Sequence, residues 1–62
     1  MDNKQKYEGK RIDIYSPSGR KIDTLKVTEV IDETYLYGES EISKITTTYD
    51  LDDGIKVEIV VS

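Results

Sequence analysis

The sequence predicts an all-β protein: a small five-stranded antiparallel barrel or meander, SH3-like in outline and without a substantial helix. Composition gives the first indication, because Val, Ile, Thr and Tyr supply 24 of the 62 residues and the helix former Ala is absent. Two turns give the second, since Pro17 and Gly19 mark one hairpin and Gly54 ends the acidic stretch 52–54. The third is the alternation of apolar and polar residues that flanks these turns.

The clearest alternation lies on either side of Gly54. A three-residue turn over 52–54, with Gly54 at positive φ, would fold residues 45–51 onto residues 55–61. In that register Tyr49 lies opposite Val57, and Ile45 lies opposite Val61. Because side chains alternate along a strand, the apolar members of both segments would share one buried face.

The first hairpin follows the same logic around Ser16–Arg20. Pairing Ser16 with Arg20 sets Ile14 opposite Ile22, and a bulge near 23–24 would then return Ile12 to an apolar partner. Residues 32–33 form the third connection and residues 39–41 the fourth. The five strands are therefore expected near 10–15, 21–31, 34–38, 42–51 and 55–61, with the last strand returning to the first. The alternative is an open meander whose bare face is covered by a second copy.

Length and composition limit the organisation and the chemistry. Residues 1–9 are expected to form a flexible N-terminal segment, and residues 10–62 a single small β domain. The chain has no Cys and no His, which excludes disulfides and a zinc site of those ligands. No segment approaches the roughly 20 apolar residues of a membrane helix, and no signal peptide is apparent. We expect a cytoplasmic protein with no membrane partner, no cofactor and no small-molecule substrate.

Catalytic chemistry finds little support in the residue types present. A Ser nucleophile needs an activating base, and without His no such arrangement is recognisable. Ser16 and Ser18 flank Pro17, where a turn explains them. The acidic stretch 50–54 fails the spacing of a calcium-binding EF-hand loop, and the hairpin alone accounts for its glycine. The sequence therefore predicts a protein that is not an enzyme.

The segment 35–41 suggests a binding surface. If Leu36 points into the core, Tyr35 and Tyr37 point outward together, and exposed tyrosines are typical of interface centres. Alternatively, these rings shield the sheet, or they are themselves the buried pair. Glu39 and Glu41 would steer a basic partner toward the tyrosines. The leading hypothesis is a non-catalytic binding module acting through protein–protein interaction, as a regulator, inhibitor or accessory subunit.

The charge distribution supports two alternatives. Residues 1–28 carry seven bases and four acids, a net +3, whereas residues 29–62 carry two bases and nine acids, a net −7. One alternative is a homo-oligomeric structural protein, in which the basic half of one copy meets the acidic half of the next. The other is single-stranded nucleic-acid binding, through phosphate attraction and base stacking. The residues expected to serve it are Lys10, Arg11, Tyr15, Arg20 and Lys21.

Overall fold

Five strands, one short helix and one 3-10 turn make up the fold, which a computed structural model describes over residues 2–60. All strand pairings are antiparallel, and the mostly-β fold class is confirmed. In chain order the elements are α1 (Asn3–Tyr7), β1 (Arg11–Tyr15), β2 (Lys21–Ile31), β3 (Tyr35–Ser40), β4 (Thr46–Asp50), the 3-10 turn (Leu51–Asp53) and β5 (Lys56–Ile59).

The strands form one sheet in the order β4-β3-β2-β1-β5. Strands β1 to β4 follow one another as a meander, and β5 returns to pair with β1, as the sequence predicts. Within residues 2–60 no pairing joins β4 to β5, so the sheet is open and these two strands form its edges.

The predicted pairing of residues 45–51 with residues 55–61 is wrong, because these segments pair with other strands. Most of their residues nevertheless face the side of the sheet that the sequence predicts. Residues 51–53 form a 3-10 turn, and Gly54 at φ 83° directs the chain away from β4 and across to β1. There Ile14 lies opposite Val57, so β5 pairs with a strand whose Ile12 and Ile14 are fully buried and which is already paired with β2. Tyr49 and Val57 still both pack against the core, whereas Ile45 is 65% exposed. Val61 lies outside the described residues.

The β1–β2 hairpin carries its bulge one residue earlier than expected. Ser16 pairs with Arg20 as predicted, its amide donating to the Arg20 carbonyl at 2.8 Å. Ile14 then lies opposite Asp23 and not opposite Ile22, which the bulge leaves outside the ladder and 41% exposed. The shift restores the expected match of Ile12, which lies opposite Leu25. It also turns the Asp23 carboxylate toward the interior.

The core occupies one face of the curved sheet. Its buried apolar members are Tyr7, Ile12, Ile14, Leu25, Val27, Val30 and Leu36. Tyr49, Leu51, Ile55, Val57 and Ile59 are partly buried against them. A second bulge in β2, between Val27 and Glu29, bends the strand where it passes Gly38. A Cβ at Gly38 would lie 2.0 Å from the Lys26 carbonyl oxygen, so this close approach requires glycine.

Within the segment 1–9, which the sequence predicts to be flexible, residues Asn3–Tyr7 form the helix α1. The Asp2 side chain caps the helix by accepting from the amides of Lys4 and Gln5. Tyr7 joins the core and is only 7% exposed. The Gly9 amide donates to the Val27 carbonyl at 2.9 Å, which ties the segment to β2. Tyr7 thereby packs into the core, and α1 lies against β2.

Of the two remaining predicted connections, one lies where the sequence predicts it and the other begins later in the chain. The turn expected at residues 32–33 is present, with Asp32 and Glu33 both at positive φ. The loop expected at residues 39–41 begins later, because β3 continues through Ser40. No helix in the described part of the chain is long and apolar enough to cross a membrane.

Candidate protein-binding face

Alternation along β3 directs two tyrosines away from the core. Leu36 is fully buried, whereas Tyr35 and Tyr37 are each 39% exposed on the opposite side of the strand. The predicted outward orientation of this pair is therefore confirmed, and the reading in which the tyrosines are the buried pair is wrong. Because Leu36 is fixed in the core, the backbone that carries both rings is held in place.

The neighbouring strands complete a continuous surface around the tyrosines. Tyr35 lies between Ile31 of β2 and Asp50 of β4, and Tyr37 lies between Glu29 and Thr48. Directly opposite residues of antiparallel strands share a face. Ile31 is itself 40% exposed, so it extends the aromatic surface with an aliphatic group. We call this surface the tyrosine face and define it by Glu29, Ile31, Tyr35, Tyr37, Glu39 and Asp50.

The charge of the tyrosine face is predominantly acidic. Glu29, Glu39 and Asp50 contribute three carboxylates around the two rings. Lys26 of β2 lies opposite Glu39 and supplies a positive charge beside these carboxylates. Such a surface attracts a partner that is basic and carries apolar side chains.

Glu41, the fourth residue of the predicted binding set, is held in an ion pair. It follows the end of β3, and its carboxylate accepts from Arg11 Nε at 2.5 Å and from Arg11 Nη2 at 2.9 Å. These hydrogen bonds lower the pKa of Glu41 and raise the pKa of Arg11. Glu41 therefore pairs with one of the residues that the sequence assigned to nucleic-acid binding.

The structure does not gather the five predicted nucleic-acid residues into one patch. Lys10 and Arg11 lie where β1 begins, whereas Tyr15, Arg20 and Lys21 lie at the hairpin where β1 ends. Acidic groups accompany several of them: Lys21 Nζ lies 3.2 Å from Asp13, and the Tyr15 hydroxyl lies 3.5 Å from Glu58. Nucleic-acid binding through this set stays a prediction.

A buried polar network supports the end of the sheet beside the tyrosine face. Asp23, only 3% exposed, accepts from Ser40 Oγ at 2.8 Å, from the Thr24 amide at 2.7 Å and from Tyr49 Oη at 2.6 Å. Burial alone would raise the pKa of Asp23, but the hydrogen bonds from Tyr49, Ser40 and Thr24 outweigh it and lower the pKa. Burial, together with the hydrogen bond to Asp23 and its charge, raises the pKa of Tyr49 to about 12.

The same network fixes the turn between β3 and β4. Ser40 Oγ accepts from the amides of Ile42 at 3.2 Å and Ser43 at 3.1 Å while it donates to Asp23. All buried side-chain polar atoms in the described residues have a hydrogen-bond partner. The turn carries Ile42 and Ile45, which are 71% and 65% exposed.

Sequence reasoning missed several of these residues. The position of Ile31 beside Tyr35 required the β2–β3 register, for which the turn at Asp32 and Glu33 is the available signal. Asp23 was assigned only to an irregular region of β2, and no local pattern pairs it with Tyr49, which is 26 positions away. The mismatch of Ile12 with Thr24 in a hairpin without a bulge is the one trace of this network in the sequence.

Residues 2–60 carry no pocket, and no three acidic side chains among them lie close enough together to bind a metal ion. Comparison of the chain with family models, with curated proteins and with solved structures finds no match.

Proposed function

We propose that this chain is a non-catalytic binding module that docks another protein on the tyrosine face, as a regulator, inhibitor or accessory subunit. The observation that carries the proposal is the pair of half-exposed rings, Tyr35 and Tyr37, on either side of the fully buried Leu36. Tyrosine supplies a large contact area with few rotatable bonds, and for this reason it is enriched at interface centres.

Rigidity of the supporting strand favours this role. β3 is paired on both sides, with β2 and β4, so neither its backbone nor its register is free to change without breaking a ladder. Ser40 at the end of the strand is tied to Asp23 in the interior. A surface that is already ordered loses little conformational entropy when a partner binds.

The partner that suits this face is a basic protein segment with apolar side chains. Its cations would approach Glu29, Glu39 and Asp50, and its apolar groups would lie on Tyr35 and Ile31. Rim charges of this kind act mainly on the association rate, which falls as salt screens them.

We propose an SH3-like outline, supported by the return of β5 to β1 and by the 3-10 turn that links β4 to β5. The non-catalytic assignment is supported by the absence of His and Cys from the sequence. In addition, both carboxylate oxygens of Asp23, the most buried acidic group, are engaged by protein donors.

The test is affinity capture with matched variants of the full chain. The wild type, the double variant Tyr35→Ser/Tyr37→Ser and the control Tyr15→Ser are immobilised and exposed to an extract of the native host. We expect a protein that the wild type and Tyr15→Ser retain, that the double variant loses, and whose association slows as salt rises. Circular dichroism checks that all three are folded. Equal retention by the double variant, or no retained protein at all, would contradict the proposal.

A further inference from the structure

The outer edge of β4 has an unused set of backbone hydrogen-bonding groups. The Ser40 amide donates to the Ile45 carbonyl at 3.0 Å, and the Leu51 amide donates to the Thr34 carbonyl at 2.8 Å. Hydrogen-bonded pairs alternate along an antiparallel ladder. Positions 47 and 49 therefore bond to β3, while the N–H and C=O groups of Thr46, Thr48 and Asp50 point away from the sheet.

The stretch 45–49 of this edge lacks the features that prevent strand addition. Natural edges are protected by charged side chains, proline, bulges or a covering element. Residues 45–49 read Ile-Thr-Thr-Thr-Tyr, with no charge, no proline and no glycine. Among the described residues, none outside β3 bonds to the backbone of Thr46 or Thr48. Exposed β-branched residues along an open edge favour pairing with another strand.

We propose that β4 pairs with β4 of a second copy, antiparallel and around a two-fold axis at Thr47, to form a dimer with a continuous ten-stranded sheet. This site adjoins the tyrosine face at Asp50, but it does not depend on the proposed function. Pairing between two identical β4 edges stops at a dimer, because each β4 has only one free edge and that edge is then occupied.

The register follows from the side of the strand that odd-numbered and even-numbered residues face, and from the charges at its ends. Residues of equal parity must be opposite one another if the two cores are to lie on the same side of the joined sheet. With Thr47 opposite itself, Thr46 lies opposite the second copy's Thr48, so the outward-pointing groups of both strands meet as hydrogen-bonded pairs.

Side chains on the same register are complementary. Ile45, 65% exposed in one chain, lies opposite the second copy's Tyr49, a β-branched–aromatic pair on the core side. Lys44 precedes the strand at φ 66°, so in this register it would lie near the second copy's Asp50, and the symmetry repeats both contacts. The self-complementary stretch 45–49, with Lys44 before it and Asp50 after it, favours a second copy of this chain as the occupant of the edge.

Cysteine substitution tests the axis directly, because the chain contains no Cys of its own. Only a residue that faces itself across a two-fold axis can form a disulfide with its own copy at native geometry. We expect Thr47→Cys to give a covalent dimer under mild oxidation, and Thr48→Cys, one position along, to remain largely uncrosslinked. A dimer that crosslinks through Thr48→Cys in place of Thr47→Cys would overturn the assigned register.

Solution mass is the second measurement. Sedimentation of the wild-type chain over rising concentration should approach twice the 7.1 kDa of one chain. The double variant Thr46→Lys/Thr48→Lys places like charges opposite one another across the axis, so it should stay monomeric with an unchanged circular dichroism spectrum. A wild type that is monomeric at every concentration would overturn the proposal, and so would a lysine variant that dimerises equally well.

Discussion

Tyr49 Oη donates to Asp23 Oδ2 at 2.6 Å and thereby connects β4 to β2 across the intervening strand β3. Asp23 reaches this position because the bulge after Ile14 turns its carboxylate inward. Ser40 of β3 donates to the other carboxylate oxygen. Three adjacent strands are thus joined through their side chains as well as through their backbones, at the end of the sheet where β4 begins.

Removal of the Tyr49 hydroxyl should destabilise the fold. Tyr49→Phe keeps the ring in the core but withdraws one donor from a buried carboxylate, which typically costs about 1–3 kcal/mol. Urea unfolding should show a lower midpoint with little change in slope. The matched control is Tyr15→Phe, because the Tyr15 hydroxyl makes only a long contact of 3.5 Å on the surface. Equal losses in the two variants would show that the Asp23 contact adds nothing specific.

Acid should remove part of the stability through Asp23. Its pKa is lower in the fold than in the unfolded chain, because the hydrogen bonds it accepts outweigh the opposing effect of burial. The stabilisation is therefore complete above the pKa of an unfolded Asp, about 3.9, and is lost as the pH falls through the folded value. Asp23→Asn should flatten the pH dependence of unfolding in this range, and Asp53→Asn should not. An unchanged slope in Asp23→Asn would exclude Asp23 as a source.

Alkaline titration should distinguish Tyr49 from the other tyrosines. Burial first, and then the hydrogen bond to Asp23, raise the pKa of Tyr49 to about 12. The fold therefore gains stability from this phenol below the unfolded pKa of about 10, and that gain is lost as the pH rises through about 12. Ultraviolet absorbance of tyrosinate should show a late phase in the wild type that is missing in Tyr49→Phe. A late phase that persists in the variant would reassign it to another tyrosine.

Local alternation predicted which residues face the core, but it did not predict which strands pair. Tyr49 and Val57 share the core face as the sequence indicates, since that depends only on the two-residue period of a strand. Their partners are instead Leu36 and Ile14. Any antiparallel strand with an apolar face satisfies the same pattern, so the choice depends on total burial across the sheet. The bulge beside Ile22 is similarly set by the whole sheet.

In the candidate site, too, the alternation along one strand could be predicted, whereas a contact between distant residues could not. Tyr35, Tyr37 and Glu39 occupy alternate positions of one strand, so the sequence predicts correctly that they share a face. Glu41 continues that spacing one place beyond the end of β3, where its amide donates to the Thr24 carbonyl at 2.8 Å. Its pairing with Arg11 joins residues 30 positions apart, and no local pattern contains that contact.

The turn after β3 should loosen when its link to the interior is removed. Ser40→Ala deletes the donor to Asp23 and the acceptor for the amides of Ile42 and Ser43. Leaving these groups unpaired should cost about 1–3 kcal/mol. Hydrogen exchange should accelerate at the amides of Ile42 and Ser43 beyond the global change, which the amide of Leu51 monitors. A uniform acceleration at all three amides would mean that Ser40 stabilises the fold only globally.

Gly38 should be the least replaceable glycine in the described part of the chain. A Cβ there would approach the Lys26 carbonyl oxygen to 2.0 Å and Val27 Cα to 2.9 Å, and both are backbone atoms of the bulged strand β2. Gly38→Ala can therefore be accommodated only by separating β3 from β2, an overpacking cost of about 3 kcal/mol or more. Gly19→Ala is the control, because it meets only the strain of its φ of 94° and no atom within 4 Å. Thermal or urea unfolding should rank Gly38→Ala well below Gly19→Ala, and the opposite order would contradict the close packing of β2 on β3.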